Sequence, residues 1–507
     1  MTQPRRDQIA AIKAYNIKMK NIKELVLRTC LLLIATTLVA ACGNNSDNNA
    51  ITQDEITVRS LPWVEVRNHR LVDELGRELS LRGVNARIEG LFDVTFDDGR
   101  VALEPIPAFS MDDAQAMVRY GFNVLRLPIN WSGLEPHEGE FSETYFDKLD
   151  EVVNLARDAG LYVLLDFHQD AWSKEIGEDG APLWAIVPPP EKLLEGPLDD
   201  LPERRVSEQV LNAFEGFFEN REGIQDRFLP VWKRVIERYA DRPEVIGFQP
   251  MNEPLVSHFD LSQGLLHDFY KKLVPPMREL DARHALWMEP GVIRNYLNSA
   301  PLLDEPFPDS NIVYCPHIYP SGVTASTYEQ WKAWLVENYS NMQEEANSWG
   351  GALVVGEWGT HPDSPEAEGY IRAQQEVAEE LSSGQIYWLW KEASQDSWGF
   401  YDFEPATQSW IPRQSAVRLF STPYVQAVPG TLVTHNFDPD TGVLAFSFEA
   451  TGKERGGAQL YLPELWFPDP PTILVNGNSV AYERDPSSQR VLLDLDLEPG
   501  RIDVEVF

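Results

Sequence analysis

The sequence predicts an α/β protein: a (β/α)8 TIM barrel followed by a C-terminal all-β sandwich domain. Eight short apolar runs alternate with amphipathic helical patterns, which is how a parallel sheet covered on both faces reads. Polar residues collect at the C-terminal ends of those runs, where barrels carry their chemistry. Beyond Tyr424 the helical period gives way to short β patterns separated by turn residues. A doubly wound open sheet shares the first observation, but no glycine-rich phosphate fingerprint follows any strand.

Size and charge fit this organisation. A chain of 507 residues exceeds one ordinary domain and suits a large barrel with an appendage. The balance of 43 basic against 79 acidic residues gives a net charge of −36, which repels a phosphate backbone and argues against nucleic acid as a partner. Fifteen Trp residues serve equally a large core and the stacking of sugar rings.

Residues 1–42 form an expected signal peptide. Lys20, Lys23 and Arg28 precede the apolar run from Leu31 to Leu38, and small residues follow at once, the pattern of a secretory signal. The run is shorter than the roughly 20 residues that span a bilayer. Val39-Ala40-Ala41-Cys42 resembles a bacterial lipobox, which implies that Cys42 is acylated and anchors an exported lipoprotein at the cell envelope or outer surface. A secreted soluble form is the alternative. Residues 43–60, opening on Asn and Ser, then read as a flexible tether. With Cys30 removed and Cys42 lipidated, Cys315 has no partner for an internal disulfide. No Cys/His spacing resembles a zinc site, and neither metal nor cofactor is expected.

Residues 61–422 are assigned to the barrel. Its strands are expected at Leu79–Asn85, Asn123–Ile129, Tyr162–His168, Val245–Glu253, Ala285–Glu289, Ile312–Tyr319, Leu353–Glu357 and Gln385–Trp390. Ser110 caps a helix from Met111 to Tyr120, and Gly160 closes another over Glu143–Ala159. Phe228–Tyr239, Leu265–Leu280 and Pro365–Leu381 carry similar patterns. A long insertion near 170–227 interrupts the barrel after its third strand and is expected at the active rim. Its Phe214, Phe217 and Phe218 either pack the insertion onto the barrel or meet a greasy substrate or membrane. Residues 423–507 supply the strands of the sandwich, with turns at Asp438–Gly442 and Asn476-Gly477-Asn478.

The chemistry gathers at two strand ends. Val245–Phe248 runs into Asn252-Glu253-Pro254, where Pro254 lacks the N–H to continue the ladder and Glu253 is presented at the tip. Leu353–Gly356 runs into Glu357, followed by a Gly break at Gly359. One such glutamate only caps a strand; two of them are what two-carboxylate glycoside hydrolysis requires. The accompanying residues at strand ends are Arg126, His168, Asp170, Asn252, His317, Tyr319 and Trp390.

This ordered set resembles the catalytic signature of glycoside hydrolase family five, a retaining (β/α)8 family. Asp166-Phe167-His168-Gln169-Asp170-Ala171-Trp172, Met251-Asn252-Glu253-Pro254, Pro316-His317-Ile318-Tyr319 and Gly356-Glu357-Trp358-Gly359 resemble the endoglycoceramidase subgroup more narrowly. The likeness runs from about Leu61 to the C-terminus. It implies a retaining endo-β-glycosidase cutting the bond between the glycan and ceramide of glycosphingolipids. It further implies Glu253 as general acid/base, Glu357 as nucleophile and Asn252 as partner of the sugar 2-hydroxyl. His168 and Asp170 would bind the sugar beside the scissile bond, and His317 would orient Glu253 or the sugar. Trp390 would floor the pocket, with Trp388 the weaker candidate. Arg126 and Tyr319 are expected to keep Glu357 ionised, and that charge to raise the pKa of Glu253.

Other readings stay open at this point. A cellulase or mannanase of the same family would show a long polar groove, whereas a slot with one apolar end favours ceramide. A non-catalytic carbohydrate-binding lipoprotein would be expected to have lost one glutamate. Glu289 reads as structural or as a secondary sugar contact. His69, His137, His258, His267, His284 and His361 read as structural and mostly exposed. The loop Ala86–Phe92 departs from the subgroup's pattern and leaves the glycan head group open; the sequence specifies no oligomeric state.

Overall fold

The computed structural model describes residues 61–256, 263–320, 323–392, 398–495 and 497–507. The signal peptide, the tether, Cys42 and His258 lie outside them.

The barrel forms as the apolar runs predict. Leu81–Asn85, Val124–Ile129, Tyr162–Phe167, Val245–Gln249, Ala285–Met288 and Ile312–Tyr314 pair in parallel, each with the next. The sixth and seventh strands are each broken in two. Ile312–Tyr314 pairs with Ala352–Leu353, and His317–Ile318 pairs with Val355–Trp358. Gly384–Tyr387 then joins Val355–Trp358 to Leu81–Asn85, so the ring closes at eight strands. The break after Tyr314 falls at Cys315-Pro316, where proline has no N–H to give the ladder.

Period two along these strands divides their side chains. Leu81, Val124, Leu164, Ile246, Trp287, Val313, Val354 and Ile386 meet in one buried cluster, while Leu125, Leu127, Val163, Leu165 and Phe248 pack with the helices. Arg126 and Asp166 share the parity of the first group, one step nearer the C-terminal end. Helices start and stop where the caps predict. Ser142 accepts from the Tyr145 amide and Gly160 ends Glu143–Ala159 at φ +84°. A helix for which the sequence suggested no assignment, Tyr328–Trp349, packs its Leu335, Tyr339, Met342 and Trp349 inward. No helix among the described residues is long and apolar enough to cross a membrane.

The insertion folds into two helices, Leu201–Arg205 and Glu208–Phe218. Phe214, Phe217 and Phe218 are buried, in ring contact with Trp172, Phe228 and Phe269. All three pack the insertion onto the barrel, and Phe214 also lines the cavity described below. Among the histidines expected to be exposed, His267 and His284 are buried as well.

The sandwich is more entangled with the barrel than the boundary at 423 implies. One sheet orders Thr431–Asp438, Val443–Ala450, Gly500–Val506, Ile473–Val475 and Asn478–Ser479. The facing sheet takes Tyr424–Val428, Ala458–Tyr461, Arg490–Leu493 and Glu483–Asp485 from the C-terminal region, and three strands from the opposite end of the chain: Val64–Arg67, Arg70–Asp73 and Glu78–Leu79. Glu78–Leu79 pairs with Ala427 and Val428, and two residues later Leu81 enters the barrel. The expected first strand, Leu79–Asn85, is thus split between two sheets. Tyr424 and Tyr461 hydroxyls donate to the carbonyls of Gly121 and Arg119, tying the sandwich to the first helix of the barrel.

Candidate active site

Both glutamates emerge at the same end of the barrel. One oxygen of Glu253, one of Glu357 and a ring nitrogen of His317 all lie within 4.8 Å of one another. Around them opens a cavity of about 680 Å³. Each strand end contributes a part.

Arg126 is fully buried and organises one side. Its guanidinium donates to Glu357 Oε1 at 2.5 Å, Asn252 Oδ1 at 2.8 Å, Gln249 Oε1 at 2.9 Å and Asn85 Oδ1 at 2.8 Å. Asp166 lies 3.0 Å away as its second carboxylate partner. Tyr319 donates its hydroxyl to Glu357 Oε2 at 2.7 Å. Both oxygens of Glu357 are therefore held by donors from elsewhere in the barrel, Arg126 on the second strand and Tyr319 just past His317–Ile318, a rigid and charge-assisted setting.

Glu253 is built differently. Its backbone has φ +40°, a left-handed conformation unusual for a side chain of this size. Its Oε1 receives the Asn295 amide at 3.0 Å and stands 2.9 Å from His317 Nδ1. Burial, and then the Asp170 carboxylate, push its pKa up to about 7, while Arg205, His168 and Arg126 pull the other way. Like-charge repulsion from Glu357, the expected cause, is not among the leading influences; Arg126 screens that charge. Burial also takes His317 down to about 3, so its imidazole is neutral.

His168 keeps its ring in place through Nδ1, 2.7 Å from Asp166 Oδ2, and stacks on Trp388 at 5.3 Å with the planes 12° apart. Burial opposes its charge, but Asp179 and Asp166 outweigh that and raise its pKa. Asn252 sends its Nδ2 to the Gln169 carbonyl at 3.2 Å. Asp170 lines the cavity and is ion-paired with Arg205 of the insertion.

One expected site residue is misplaced. Trp390 does not line the cavity: it is 1% exposed, packed against Phe122, Phe400 and Tyr401, with its indole N–H on Asp113. Trp388 lines the cavity in its stead. The eighth strand ends at Tyr387, so strand alternation no longer governs the residues beyond it. Asn85, Gln249, Asn295 and Arg205 were missed. Asn85 and Gln249 sit at strand ends like the residues that were found; Asn295 and Arg205 belong to helices of four and five residues, Arg294–Leu297 and Leu201–Arg205, too short for a period to mark them.

The cavity lining is mixed. The insertion brings Leu198, Leu201, Val206 and Phe214, joined by Leu255 and Ile293, but also Asp199 and Arg205; Arg87 with its ion-pair partners Glu178 and Glu392 adds a charged cluster. The trio of Glu253, His317 and Glu357 is also the donor set a metal would need among the described residues. An Arg126 guanidinium already bonded to Glu357, and the raised pKa of Glu253, oppose a second cation there.

Residues 108–394 match the cellulase family, glycosyl hydrolase family 5, and residues 423–506 match the family 5 C-terminal domain. The first match alone covers more than half of the chain. The protein belongs to glycoside hydrolase family 5. Among proteins of this family it is similar to endoglycoceramidase I of Rhodococcus hoagii (strain 103S), 26% identical over 436 residues that cover 81% of this chain and 82% of that protein. An endoglycoceramidase of Cyanea nozakii is 26% identical over 305 residues, covering 52% of this chain and 56% of the relative. In fold it superposes on endo-glycoceramidase II from Rhodococcus sp. with a TM-score of 0.72 at 24% identity, covering 86% of this chain and 98% of that one. An endogalactoceramidase structure gives a TM-score of 0.71 at 23% identity, covering 88% and 100%. As a family 5 member with both glutamates at strand ends, the chain is a glycosidase, which removes the reading of a carbohydrate-binding protein without turnover.

Proposed function

We propose that the protein is a retaining endo-β-glycosidase that hydrolyses the bond between the glycan and the ceramide of glycosphingolipids. The observation that carries the substrate assignment is the set of apolar residues that the insertion brings to the cavity. Leu198, Leu201, Val206 and Phe214 share one pocket with Glu253 and Glu357, so an apolar aglycone and a sugar can be held across the pair. A polysaccharide endo-glycanase of the cellulase or mannanase type has polar sugar on both sides of the scissile bond and no use for such residues there.

Close spacing of the carboxyl groups supports retention, which needs about 5–5.5 Å, rather than inversion, which needs room for water between them. Glu357 attacks the anomeric carbon as Glu253 gives its proton to the departing ceramide oxygen, breaking the glycosidic bond. The glycosyl ester discharges the nucleophile. Glu253, now a carboxylate, takes a proton from water whose oxygen attacks the same carbon and frees Glu357. Asn252 holds the sugar 2-hydroxyl, Trp388 offers a platform for the ring, and His168 and Asp170 take hydroxyls beside the scissile bond. His317, neutral, orients the Glu253 carboxyl.

Exported and acylated at Cys42, with residues 43–60 as tether, the enzyme would meet its substrate at a membrane surface; the signal and lipobox pattern support this part. The experiment that tests the whole is release of free glycan from fluorescent lactosylceramide, a fluorescent ganglioside and carboxymethylcellulose by wild type and Glu357→Gln. Turnover of either glycolipid, abolished in the variant, is expected. Hydrolysis of carboxymethylcellulose alone, or undiminished glycan release by the variant, overturns it.

A further inference from the structure

Glu289 directly follows the fifth barrel strand in Met288-Glu289-Pro290; it is 1% exposed and does not line the cavity. Its Oε2 accepts two hydrogen bonds at 2.9 Å, from the Glu253 backbone N–H and from Gln249 Nε2. Its Oε1 lies 3.4 Å from His317 Nδ1, the same nitrogen that faces Glu253 Oε1. Its own carbonyl takes the Tyr270 hydroxyl at 2.9 Å, fixing it from the helix behind. Gln249 in turn accepts from Arg126, which holds Glu357. An unbroken chain of hydrogen bonds therefore runs from one catalytic carboxylate to the main chain of the other, and Glu289 is its last link.

We propose that Glu289 is a positioning residue for the acid/base. It pins the Glu253 N–H in the left-handed conformation at φ +40°, and so fixes where the Glu253 carboxyl points when it meets the leaving-group oxygen. The inference rests on Glu253 being the acid/base. A carboxyl that merely finished a strand would need water or solvent-exposed donors. This one is buried, and one of its oxygens is committed to the amide of the catalytic residue. A left-handed non-glycine residue persists only when its surroundings hold it there, and an N–H bound to a buried side chain is such a hold.

The charged and titratable groups that face Glu289 are Arg126, Glu253, Tyr270, Cys315, His317 and Glu357. Burial first and Glu253 second push its carboxyl well above the usual carboxylate range, with Arg126 opposing. Glutamine keeps its length and shape and the acceptor oxygen that the Glu253 N–H and Gln249 use, and is therefore the conservative replacement.

The test compares kcat/KM on two substrates bearing the same glycan. One is the glycosphingolipid, whose alkoxide leaving group needs a proton. The other is a 2,4-dinitrophenyl glycoside, whose leaving group does not. Glu289→Ala is expected to lose about tenfold to a hundredfold on the lipid, the scale of a catalytic group displaced by about an ångström, and less than about threefold on the aryl glycoside. Glu289→Gln should restore the lipid reaction to within about threefold. Glu289→Asp, which withdraws the oxygen by one methylene, carries the same comparison where the alanine variant does not fold. Equal losses on both substrates, or no restoration by glutamine, overturn the proposal. Glu253→Gln, run alongside, must show the same leaving-group dependence more steeply; if it does not, it is the acid/base assignment that falls.

Discussion

His317 Nδ1 stands 2.9 Å from Glu253 Oε1, and the imidazole is neutral because burial removes the water that would stabilise its charge. The nearest ring nitrogen to the Glu253 carboxyl therefore adds no positive charge, and burial with Asp170 outweighs the pull of Arg205, His168 and Arg126. With its pKa pushed up to about 7, kcat/KM is expected to fall above that value as the acid form is lost. Asp170→Asn removes a charge that raises this pKa and should move the alkaline limb to lower pH. Arg205→Gln removes one that lowers it and should move the limb upward. A pH–rate profile of the three proteins checks both signs; limbs moving the same way would contradict the electrostatic account.

The same shift has a stability consequence. A carboxyl whose folded pKa lies above its unfolded value near 4.5 binds more protons folded than unfolded between those values. Stability is thus lost as pH rises from about 4.5 to about 7 and stays lost above. Glu253→Gln should be more stable than wild type at pH 8 by on the order of 2 kcal/mol, and no more stable at pH 4. Denaturant melts at the two pH values measure this.

Removing Arg126 should be severe. Its guanidinium is fully buried with Glu357 and Asp166 as partners, so Arg126→Ala leaves two carboxylates without their cation. A loss of about 3–5 kcal/mol of stability is expected, together with activity. Arg126→Lys keeps the charge but cannot reach five acceptors from one nitrogen, so it should fold better than alanine and still lack most turnover. Thermal unfolding and glycan release separate the two effects.

The two tryptophans after the eighth strand should behave oppositely. Trp388→Ala takes away the ring stacked on His168 in the cavity and is expected to lower kcat/KM about tenfold or more with little change in melting temperature. Trp390→Ala opens a hole among Phe122, Phe400 and Tyr401 and should cost about 3–5 kcal/mol of stability.

Among the apolar residues of the insertion, Val206 is 70% exposed although it lines the cavity, which suits a residue covered only when an apolar aglycone binds. Val206→Ser should raise KM for the glycolipid several-fold, in line with about 1 kcal/mol for losing a methyl-bearing contact, and leave a soluble aryl glycoside unaffected.

The barrel was legible because its strands are buried on both faces and therefore apolar without interruption, while their ends change abruptly to Asn, Glu and His. The helix Tyr328–Trp349 escaped notice for the opposite reason. Its inner face includes Asn338 and Glu345, the latter held by Arg294 and the Tyr314 hydroxyl, so the apolar stripe is broken by polar residues whose partners are far off in the chain. Strand alternation identified Arg126 and Glu357 but failed at Trp390, which lies past the end of the strand. Contacts such as Asp170 with Arg205 depend on how the insertion folds back, and nothing local encodes that. Val64–Arg67 and Arg70–Asp73 form a local hairpin with each other, but the link that carries them into the sandwich, Glu78–Leu79 on Ala427 and Val428, spans hundreds of residues and leaves no local trace.

That last pairing bears on how the chain can be made and cut. With Glu78–Leu79 hydrogen-bonded to Ala427 and Val428, the entry into the barrel is stitched to a segment synthesised near the finish. A growing polypeptide cannot complete this seam until the ribosome has delivered both ends, so a barrel truncated before 423 would emerge with a raw strand edge open to aggregation. The sandwich behaves as a clasp on the enzyme, and exchanging it as a cassette would undo the fold it fastens.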